Sequence, residues 1–253
     1  MSQHVAQDAR RLYSDLSWTW PIVSRVADYA EEAEFFARAI LDHSSRETRT
    51  LLDLGCGGGH LDHHLKNHFA VTAVDMSESM LGLAKRLNPE IEHHLGDMRT
   101  IRLNRRFDAV MIHDSVNYMT TRGDLRAALA TGFEHLEPGG ILVTFVEQTP
   151  ETFVQHKTKS STSSDGDIEI TFIEHFHDPD PEDSTYESVF VYLIRRQGVL
   201  EVEADRHLCG IFPLQTWQDL LLEVGFEVEK KEWDHSEFPP GEALPMFLCT
   251  KPA

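Results

Sequence analysis

Apolar and polar residues alternate with two different periods in the middle of the chain. Short apolar runs typical of buried strands occur at 50–54, 71–75, 91–95, 107–112 and 136–143, the last of which includes a turn. The stretches 61–68 and 77–86 instead carry apolar residues at helical spacing. From residue 50 to residue 147 the chain therefore alternates strand and helix five times, which predicts a parallel sheet with helices on both faces.

The residues before and after this alternating region have different patterns. Residues 6–16 and 22–43 have helical apolar spacing that is interrupted at Trp20-Pro21, because proline does not fit a helix interior. A polar loop is expected at 157–167. Three β-rich runs follow this loop, at 168–176, 186–195 and 199–207. The dipeptide Gln197-Gly198, between the last two runs, predicts a hairpin turn.

The C-terminal residues return to the core pattern. A helix is predicted at 215–223, ending near Gly225, and strands at 226–233 and 246–250 are expected to close the main sheet as an antiparallel pair. We divide the chain into an N-terminal helical lid (1–45), a core (46–150), an antiparallel β insert (151–210) and a C-terminal completion of the core sheet (211–253). The insert offers strand edges that would either pair in a dimer or cap a pocket.

The first predicted strand runs directly into the glycine-rich turn Asp53-Leu54-Gly55-Cys56-Gly57-Gly58-Gly59. A helix after such a turn points unpaired N–H groups at a ligand, and glycines let the ligand approach the backbone closely. The dinucleotide fingerprint G-x-G-x-x-G fails at its third glycine, where His60 stands, and no phosphate-loop Gly-Lys-Ser/Thr follows. The pattern that is matched is D-x-G-x-G-x-G.

Polar residues follow the next strands in order. Asp75 ends the second strand, about 20 residues after the turn, where a carboxylate can accept both hydroxyls of a ribose. Capping the next helix is the alternative role for Asp75, but Ser77 is the better N-cap. Gly96-Asp97-Met98 follows the third strand, and His113-Asp114-Ser115-Val116-Asn117-Tyr118 follows the fourth.

These ordered motifs resemble those of class I S-adenosylmethionine (SAM)-dependent methyltransferases. With the N-terminal segment and the insert, the chain resembles the nucleotide-amino-sugar type of small-molecule N-methyltransferase, on residues 25–33, Gly96-Asp97-Met98-Arg99, Ser115-Val116-Asn117-Tyr118 and Pro150-Glu151-Thr152-Phe153. That family tends to carry bulky aromatics after strand five, where this chain has Gln148-Thr149. The resemblance implies a Rossmann-like, doubly wound α/β fold with a seven-stranded sheet, an N-terminal helical lid and a small antiparallel insert after strand five.

The resemblance also implies SAM as cofactor and S-adenosylhomocysteine as product. Asp97 would accept from the adenine amine while Met98 packs on the ring, and Arg25 would pair with the carboxylate of the cofactor. Asp53 is expected mainly to hold the amides of the turn. The full set of residues expected at the cofactor is Tyr13, Arg25, Tyr29, Asp53, Gly55, Cys56, Gly57, Asp75, Met76, Met80, Asp97, Met98 and His113.

The acceptor is expected to be a small molecule that is methylated at an amine nitrogen. A sulfonium leaving group needs no protonation, so the enzyme mainly positions the reactants. We expect Tyr118 to orient or deprotonate the amine, with His113 as the second candidate; plain packing is the alternative for Tyr118. The residues expected around the acceptor are Trp18, Trp20, Asp114, Asn117, Tyr118 and Glu147, although Trp18 and Trp20 would equally serve as hydrophobic anchors of the lid.

Two further hypotheses stay open. In an O-methyltransferase, His113 would be the general base. A non-catalytic SAM-binding sensor or partner subunit would not need the polar groups of the loop that follows the fourth strand.

Composition narrows the class of partner. The net charge of −19 over 253 residues disfavours nucleic acid and suits a cationic small molecule, although acidity also serves solubility alone. No apolar run has the length of a membrane span, and the N-terminus lacks the apolar region of a signal peptide. The three cysteines show no paired spacing, which suits the cytoplasm. A monomer and a homodimer are both compatible with the sequence.

The 15 histidines do not form a known metal motif. His60, His64 and His68 recur on one helix face, and His175 and His177 share a strand face, but H-E-x-x-H is absent. No metal is therefore expected.

Overall fold

The computed structural model describes residues 10–253. Its strands are β1 Thr50–Leu54, β2 Ala70–Asp75, β3 Glu92–Leu95, β4 Phe107–Ile112, β5 Leu136–Phe145, β6 Thr158–Asp165, β7 Ile168–His177, β8 Thr185–Arg196, β9 Val199–Gly210, β10 Glu227–Trp233 and β11 Leu244–Thr250. Its α-helices are α1 Trp20–Val23, α2 Ala30–His43, α3 His60–Leu65, α4 Glu78–Leu87, α5 Arg122–Glu134 and α6 Leu214–Val224. Short 3₁₀ turns lie at Arg11–Tyr13, Ser17–Thr19, Val26–Tyr29 and Asp114–Tyr118.

Seven strands form the main sheet, in the order β10-β11-β5-β4-β1-β2-β3. The strands β1 to β5 run parallel, while β11 is antiparallel to β5 and β10 is antiparallel to β11. The predicted α/β fold, its seven-stranded sheet and its closing antiparallel pair are confirmed. The strand order reverses between β1 and β4, and ligands of open α/β sheets bind at such a switch point.

Alternate residues of β1 enter the two halves of the core, because side chains of a strand point to opposite faces. Leu52 and Leu54 pack in a cluster with residues of α5 and α6, whereas Leu51 packs with residues of α2 and α3. All three leucines are fully buried. This burial fixes the end of β1, and therefore the start of the glycine-rich turn, against the rest of the sheet.

The insert is a separate antiparallel sheet of four strands in the order β6-β7-β8-β9. Its inner face carries Ile170, Phe190 and Ile194, which pack against Leu12 and Leu16 of the N-terminal segment. The hairpin predicted at Gln197-Gly198 is confirmed, and both turn residues have positive φ (51° and 82°). The N-terminal segment is thus held against the insert.

The N-terminal segment is not the pair of long helices that the apolar spacing predicted. Part of the stretch 6–16 lies outside the described residues, and the remainder forms short 3₁₀ turns. The predicted helix 22–43 is continuous only from Ala30, because Ser24 and Arg25 are extended. At the predicted break α1 begins at Trp20, and Pro21 stands in its first turn, where its missing N–H costs nothing.

Two further expectations were wrong. The polar stretch 157–167 contains the strand β6, which lies at the edge of the insert sheet. Backbone hydrogen bonds to β7 are sufficient to form this strand, because an exposed edge strand needs no apolar side chains. Strand and helix also do not alternate throughout the core, because residues 96–106 connect β3 to β4 without a helix.

Candidate active site

The glycine-rich turn lies at the switch point between β1 and β4. Gly55 has φ +96°, and a Cβ added there would lie 2.0 Å from Ser115 Oγ in the loop after β4. Gly57 has φ +54°, but an added Cβ would meet nothing within 4 Å. Gly55 is therefore required by the close approach of two loops, whereas Gly57 faces open space that a ligand could enter.

Asp75, at the end of β2, holds the turn in place. Its Oδ2 accepts a hydrogen bond from the Gly57 N–H at 2.8 Å, and its Oδ1 accepts one from the Ser77 N–H at 2.8 Å. Burial raises the pKa of Asp75. Each carboxylate oxygen has a further lone pair, so two ribose hydroxyls can still be accepted. The predicted N-cap is confirmed, because Ser77 Oγ accepts from the Met80 N–H at 3.1 Å.

Asp53 does not hold the amides of the turn, contrary to expectation. The N–H groups of Gly55 and Cys56 donate instead to the Val74 carbonyl, at 2.7 and 3.0 Å. Asp53 is buried beneath the turn beside Asp62 of α3. Burial and the neighbouring carboxyl raise the pKa of Asp53 well above its usual value, and burial raises the pKa of Asp62 to about 7. The pair therefore tends to retain a proton near neutral pH.

A first cavity, of about 580 Å³, opens above the turn. The structure brings nearly all of the predicted cofactor residues to its wall, and these are Tyr13, Tyr29, Asp53, Gly55, Cys56, Gly57, Asp75, Met76, Met80, Asp97, Met98 and His113. Arg25 is the exception. Its side chain is 71% exposed and pairs with Asp28 at 2.9 Å, at the edge of a different cavity. The structure thus does not place Arg25 where the carboxylate of a cofactor in the first cavity would be expected.

Asp97 has a cationic partner. Arg99 donates from Nε and Nη2 to the Asp97 carboxylate, and from Nη1 to Asp124 at 2.8 Å. The contact with Arg99 lowers the pKa of Asp97. Met98 is mostly buried beside it, on the wall of the first cavity. The roles of Asp97 and Met98 toward an adenine stay predictions.

A second cavity, of about 780 Å³, adjoins the first. Tyr29, His113 and Asp114 line both cavities. The second cavity reaches β6 of the insert at residues 161–164 and β10 at Trp233. Its wall has one arginine, Arg25, two histidines, His113 and His235, and five carboxyl side chains, which belong to Asp28, Glu32, Asp114, Glu147 and Glu237. Among the described residues its charged lining is therefore predominantly negative.

The predicted acceptor residues are divided among three places. Asp114 and Glu147 line the second cavity, and Asn117 donates to Glu147 Oε2 at 2.8 Å. Trp20 lines the first cavity and stacks on His60, with the ring centroids 6.0 Å apart. Trp18 lines neither of the two cavities; the Arg196 guanidinium lies 4.3 Å from the centre of its ring. Its packing therefore matches the alternative, an anchor for the N-terminal segment.

His113 lies between two carboxylates at the junction of the cavities. Its Nε2 is 2.9 Å from Glu32 Oε1 and its Nδ1 is 3.3 Å from Asp114 Oδ1. Burial alone would lower the pKa of His113, but the charges and hydrogen bonds of Glu32 and Asp114 raise it well above its usual value. At neutral pH the imidazolium has no free lone pair, which argues against a general-base role.

Tyr118 lines the first cavity and is hydrogen-bonded on both sides. Its hydroxyl oxygen is 2.8 Å from that of Tyr13 and 2.6 Å from Nδ1 of His207. His207 Nε2 is in turn 2.6 Å from Asp205 Oδ2. His207 and Asp205, which lie on β9 in the insert, were not among the residues predicted from the sequence. The only signal was an Asp-x-His pair on one face of a strand.

The histidines of α3 and of the turn after it are used for packing and hydrogen bonding; α3 ends at Leu65, so His68 lies beyond the helix that the spacing predicted over 61–68. His64 Nε2 lies 2.8 Å from the Val26 carbonyl and His68 Nε2 lies 3.2 Å from Glu34. Burial lowers the pKa of His60 to about 4, so this ring is neutral beneath Trp20. Within residues 10–253, no three His, Cys, Asp or Glu side chains are grouped so that they could hold a metal ion. The same residues form no helix that is long and apolar enough to cross a membrane.

Comparison with known proteins agrees with this geometry. Residues 51–140 match the model of the methyltransferase domain family. The chain is 41% identical over 133 residues to the dTDP-3-amino-3,4,6-trideoxy-alpha-D-glucopyranose N,N-dimethyltransferase of Streptomyces venezuelae, a match that covers 52% of this chain and 56% of that protein.

Two solved structures cover nearly the whole chain. The crystal structure of Streptomyces venezuelae DesVI superposes with a TM-score of 0.80 at 29% identity, covering 94% of this chain and 96% of that one. The X-ray structure of the sugar N-methyltransferase KedS8 from a Streptoalloteichus species superposes with a TM-score of 0.81 at 25% identity, covering 100% and 98%.

With the glycine turn, the strand-end carboxylates and the sheet order in place, the chain belongs to the class I SAM-dependent methyltransferases. Within that class it is similar to proteins that are named as amino-sugar N-methyltransferases.

Proposed function

We propose that this protein transfers a methyl group to the amine nitrogen of a small molecule, and that the acceptor is an amino sugar carried on a nucleotide. One observation carries the choice of nitrogen. A cavity whose charged lining is mostly carboxylate meets the cofactor-side cavity at Asp114 and His113. Carboxylates attract an ammonium group and have no comparable preference for a neutral hydroxyl. The sugar nucleotide is suggested by the names of the relatives.

The residues of the first cavity fit the cofactor. Gly57 leaves open space at the turn, Asp75 offers lone pairs for the ribose hydroxyls, and Asp97, on the same cavity wall, would accept from the adenine amine. Tyr13 and Tyr29 would face the amino-acid part. SAM supplies an electrophilic methyl group on a sulfonium.

The residues at the junction act on the acceptor. Asp114 and Glu147 would bind the ammonium form, and Tyr118 would contact the reacting nitrogen from the cofactor side. Holding nitrogen and methyl carbon in line at near-attack distance is the main source of acceleration. The carboxylates on both sides of His113 raise its pKa well above the usual value, which argues against His113 as the general base of the O-methyltransferase alternative.

The test is a panel of acceptors supplied with SAM. It contains dTDP-amino sugars, the free amino sugars and the same nucleotides with hydroxyl in place of amine. S-adenosylhomocysteine formation and product mass are recorded. We expect mass gains of one or two methyl groups for amines only. Methylation of the hydroxyl compounds at equal rates would contradict nitrogen transfer.

A matched pair of variants separates catalysis from binding. Tyr118→Phe removes only the hydroxyl, and we expect turnover to fall about tenfold or more while SAM affinity is kept. Tyr192→Phe is the control, because its buried hydroxyl lies in the insert and bonds to none of the cavity residues. Tight SAM binding without turnover of any compound would instead favour the sensor or partner-subunit hypothesis.

A further inference from the structure

Tyr118 begins a chain of hydrogen bonds that leads from the first cavity into the insert. The successive heavy-atom distances are 2.8 Å from Tyr13 to Tyr118, 2.6 Å from Tyr118 to His207 and 2.6 Å from His207 to Asp205. This hydrogen-bond chain joins the N-terminal segment, the turn after β4 and strand β9. No other element of the site connects these three parts so directly in the described residues.

The chemistry of the groups fixes the direction of these bonds. A carboxylate only accepts, so Asp205 must receive its hydrogen bond from Nε2–H of His207. In a neutral imidazole Nδ1 is then the acceptor, and the Tyr118 hydroxyl donates to it. The Tyr118 oxygen keeps its lone pairs for other donors, and in this structure the Tyr13 hydroxyl is one of them. Each hydrogen bond is therefore donated in the direction that leads from the first cavity toward Asp205.

The end of the hydrogen-bond chain at His207 and Asp205 is buried and held in place. The side chains of His207 and Asp205 are fully buried, and Asp205 Oδ2 also accepts from the Leu12 N–H at 2.7 Å. The Phe190 ring, on β8, lies 4.3 Å from the imidazole, centroid to centroid. Although burial would raise the pKa of Asp205, its bonds to His207 and the backbone lower it, so it is ionised.

This arrangement has the order of a nucleophile–histidine–aspartate relay, with a phenol in the first place. In such relays the carboxylate orients the imidazole and stabilises the imidazolium that forms. We propose that His207 is a positioning residue that accepts the proton of the methylated amine through Tyr118, with Asp205 stabilising the imidazolium. The proposal rests on the proposed function, since it requires an amine acceptor.

The step balances without another reactant. The ammonium attracted by the carboxylates first loses a proton to water. The lone pair of the resulting neutral amine then forms the N–C bond while the C–S bond breaks, and the sulfur takes that electron pair. The methylated ammonium then gives its proton to the Tyr118 oxygen, while the Tyr118 hydroxyl proton moves to Nδ1 of His207. Tyr118 is neutral before and after, and His207 becomes imidazolium opposite the Asp205 carboxylate. The proton leaves to water after the product departs.

Few other titratable groups face His207. Asp205 lies on its own strand, Tyr118 on the turn after β4 and Tyr13 on the N-terminal segment. From β8, Phe190 is uncharged, and Ser188 separates His207 from Glu174 of β7, to which Ser188 donates at 3.2 Å. Three more groups lie near Tyr118, namely the Cys209 thiol, the Asp114 carboxyl and the Arg10 guanidinium, which is 5.2 Å from the ring centre.

The activity test uses two replacements of His207. His207→Asn retains an acceptor near the Nδ1 position but does not titrate, and His207→Phe removes the acceptor. Both are assayed from pH 5.5 to pH 9.5 with SAM and the best dTDP-amino sugar of the panel. His175→Asn is the control, because that imidazole bonds to Thr158 on the exposed side of the same insert.

We expect kcat to fall about 100-fold in His207→Phe, with KM changed less than threefold. His207→Asn retains no group that can take up the proton, so kcat should be lowered at every pH and should vary less with pH than in the wild type. The control should match the wild type. An unchanged pH profile in His207→Asn, or a loss confined to KM, would overturn the proposal, because a purely structural histidine predicts one of these results.

A second measurement does not depend on turnover. In protein labelled with ¹⁵N-histidine, NMR should show neutral His207 protonated at Nε2, and Tyr118→Phe should shift its Nδ1 resonance. A proton on Nδ1, or no response to Tyr118→Phe, would overturn the relay whatever the substrate. If the wild type methylates no amine while NMR shows the Nε2–H form, then the proposed function fails and the hydrogen-bond chain stands.

Discussion

The two cavities that meet at His113 are built in different ways. The first is walled mainly by backbone turns and strand ends of the core, so that Gly57 and Asp75, which shape it, are only 18 residues apart. The second is assembled from the N-terminal segment, the turn after β4, the insert and β10. Glu32 and His113, which pair on its wall, are 81 residues apart. The cofactor side thus depends on local geometry, and the acceptor side depends on docking of distant segments.

The largest expected effect comes from testing that local geometry. Gly55→Ala places a Cβ against Ser115 at positive φ, so we expect the free energy of unfolding to fall by about 3 kcal/mol. Gly57→Ala is the comparison variant, because its φ is also positive, at +54°, but its added Cβ meets free space, and it should lose only about 1 kcal/mol. Urea unfolding measures both. Equal losses would show that φ, and not the approach of Ser115, sets the requirement.

The difference between the two regions also explains what the sequence could predict. The strand bounds of β1 and β4, the Ser77 cap and the glycine turn follow from periodicity and local hydrogen bonding. The strand β6 was missed because an edge strand needs no apolar pattern. The partner of Tyr118 was missed because nothing near it in sequence indicates that β9 folds back against it. Asp53 was misassigned since its neighbour Asp62 becomes visible only when α3 packs.

The buried pair beneath the turn makes stability depend on pH. Burial raises the pKa of Asp62 from 3.8 to about 7, so the folded protein keeps a proton that the unfolded chain releases. The contribution of this group to stability is therefore fully present below the unfolded pKa of 3.8 and is lost as pH rises through about 7. We expect a loss of about 2 kcal/mol between pH 5 and pH 8, measured by urea unfolding.

Asp62→Asn should weaken this dependence, because the amide does not ionise and only the buried carboxyl of Asp53 is left to titrate. His113 should lower the free energy of unfolding further at higher pH. Its pKa is raised in the folded protein, so its protonated form stabilises the fold until the imidazolium loses its proton. A variant as pH-dependent as the wild type between pH 5 and pH 7 would exclude Asp62 as the source.

Asp75→Ala tests whether the cofactor side acts alone. Loss of the carboxylate should weaken SAM binding by about 1.5–3 kcal/mol if it holds the ribose hydroxyls. Isothermal titration calorimetry with SAM, S-adenosylhomocysteine and NAD measures this directly, and NAD should give no signal with either protein. KM for the acceptor should stay within about twofold, because Asp75 does not line the second cavity. Unchanged SAM affinity would reject the ribose contact.

Glu147→Gln is the converse test, and it should have the smallest effect. The variant keeps the size of the side chain and the hydrogen bond from Asn117, but it removes a negative charge from the second cavity. Burial raises the pKa of Glu147, so its charge is fully present only at the upper end of the pH range. We expect KM for an amine acceptor to rise about fivefold at pH 8.5 and less at pH 6, with SAM affinity unchanged.

The control for this test is Glu169→Gln, on β7 of the same insert, whose side chain is 54% exposed and lies 4.0 Å from Arg195. It changes the net charge equally but lies away from both cavities. If both variants raised KM alike, then attraction of the acceptor would come from the overall charge of −19 rather than from the cavity wall. A selective effect of Glu147 would show that the acceptor side, although assembled from distant segments, places its charges locally.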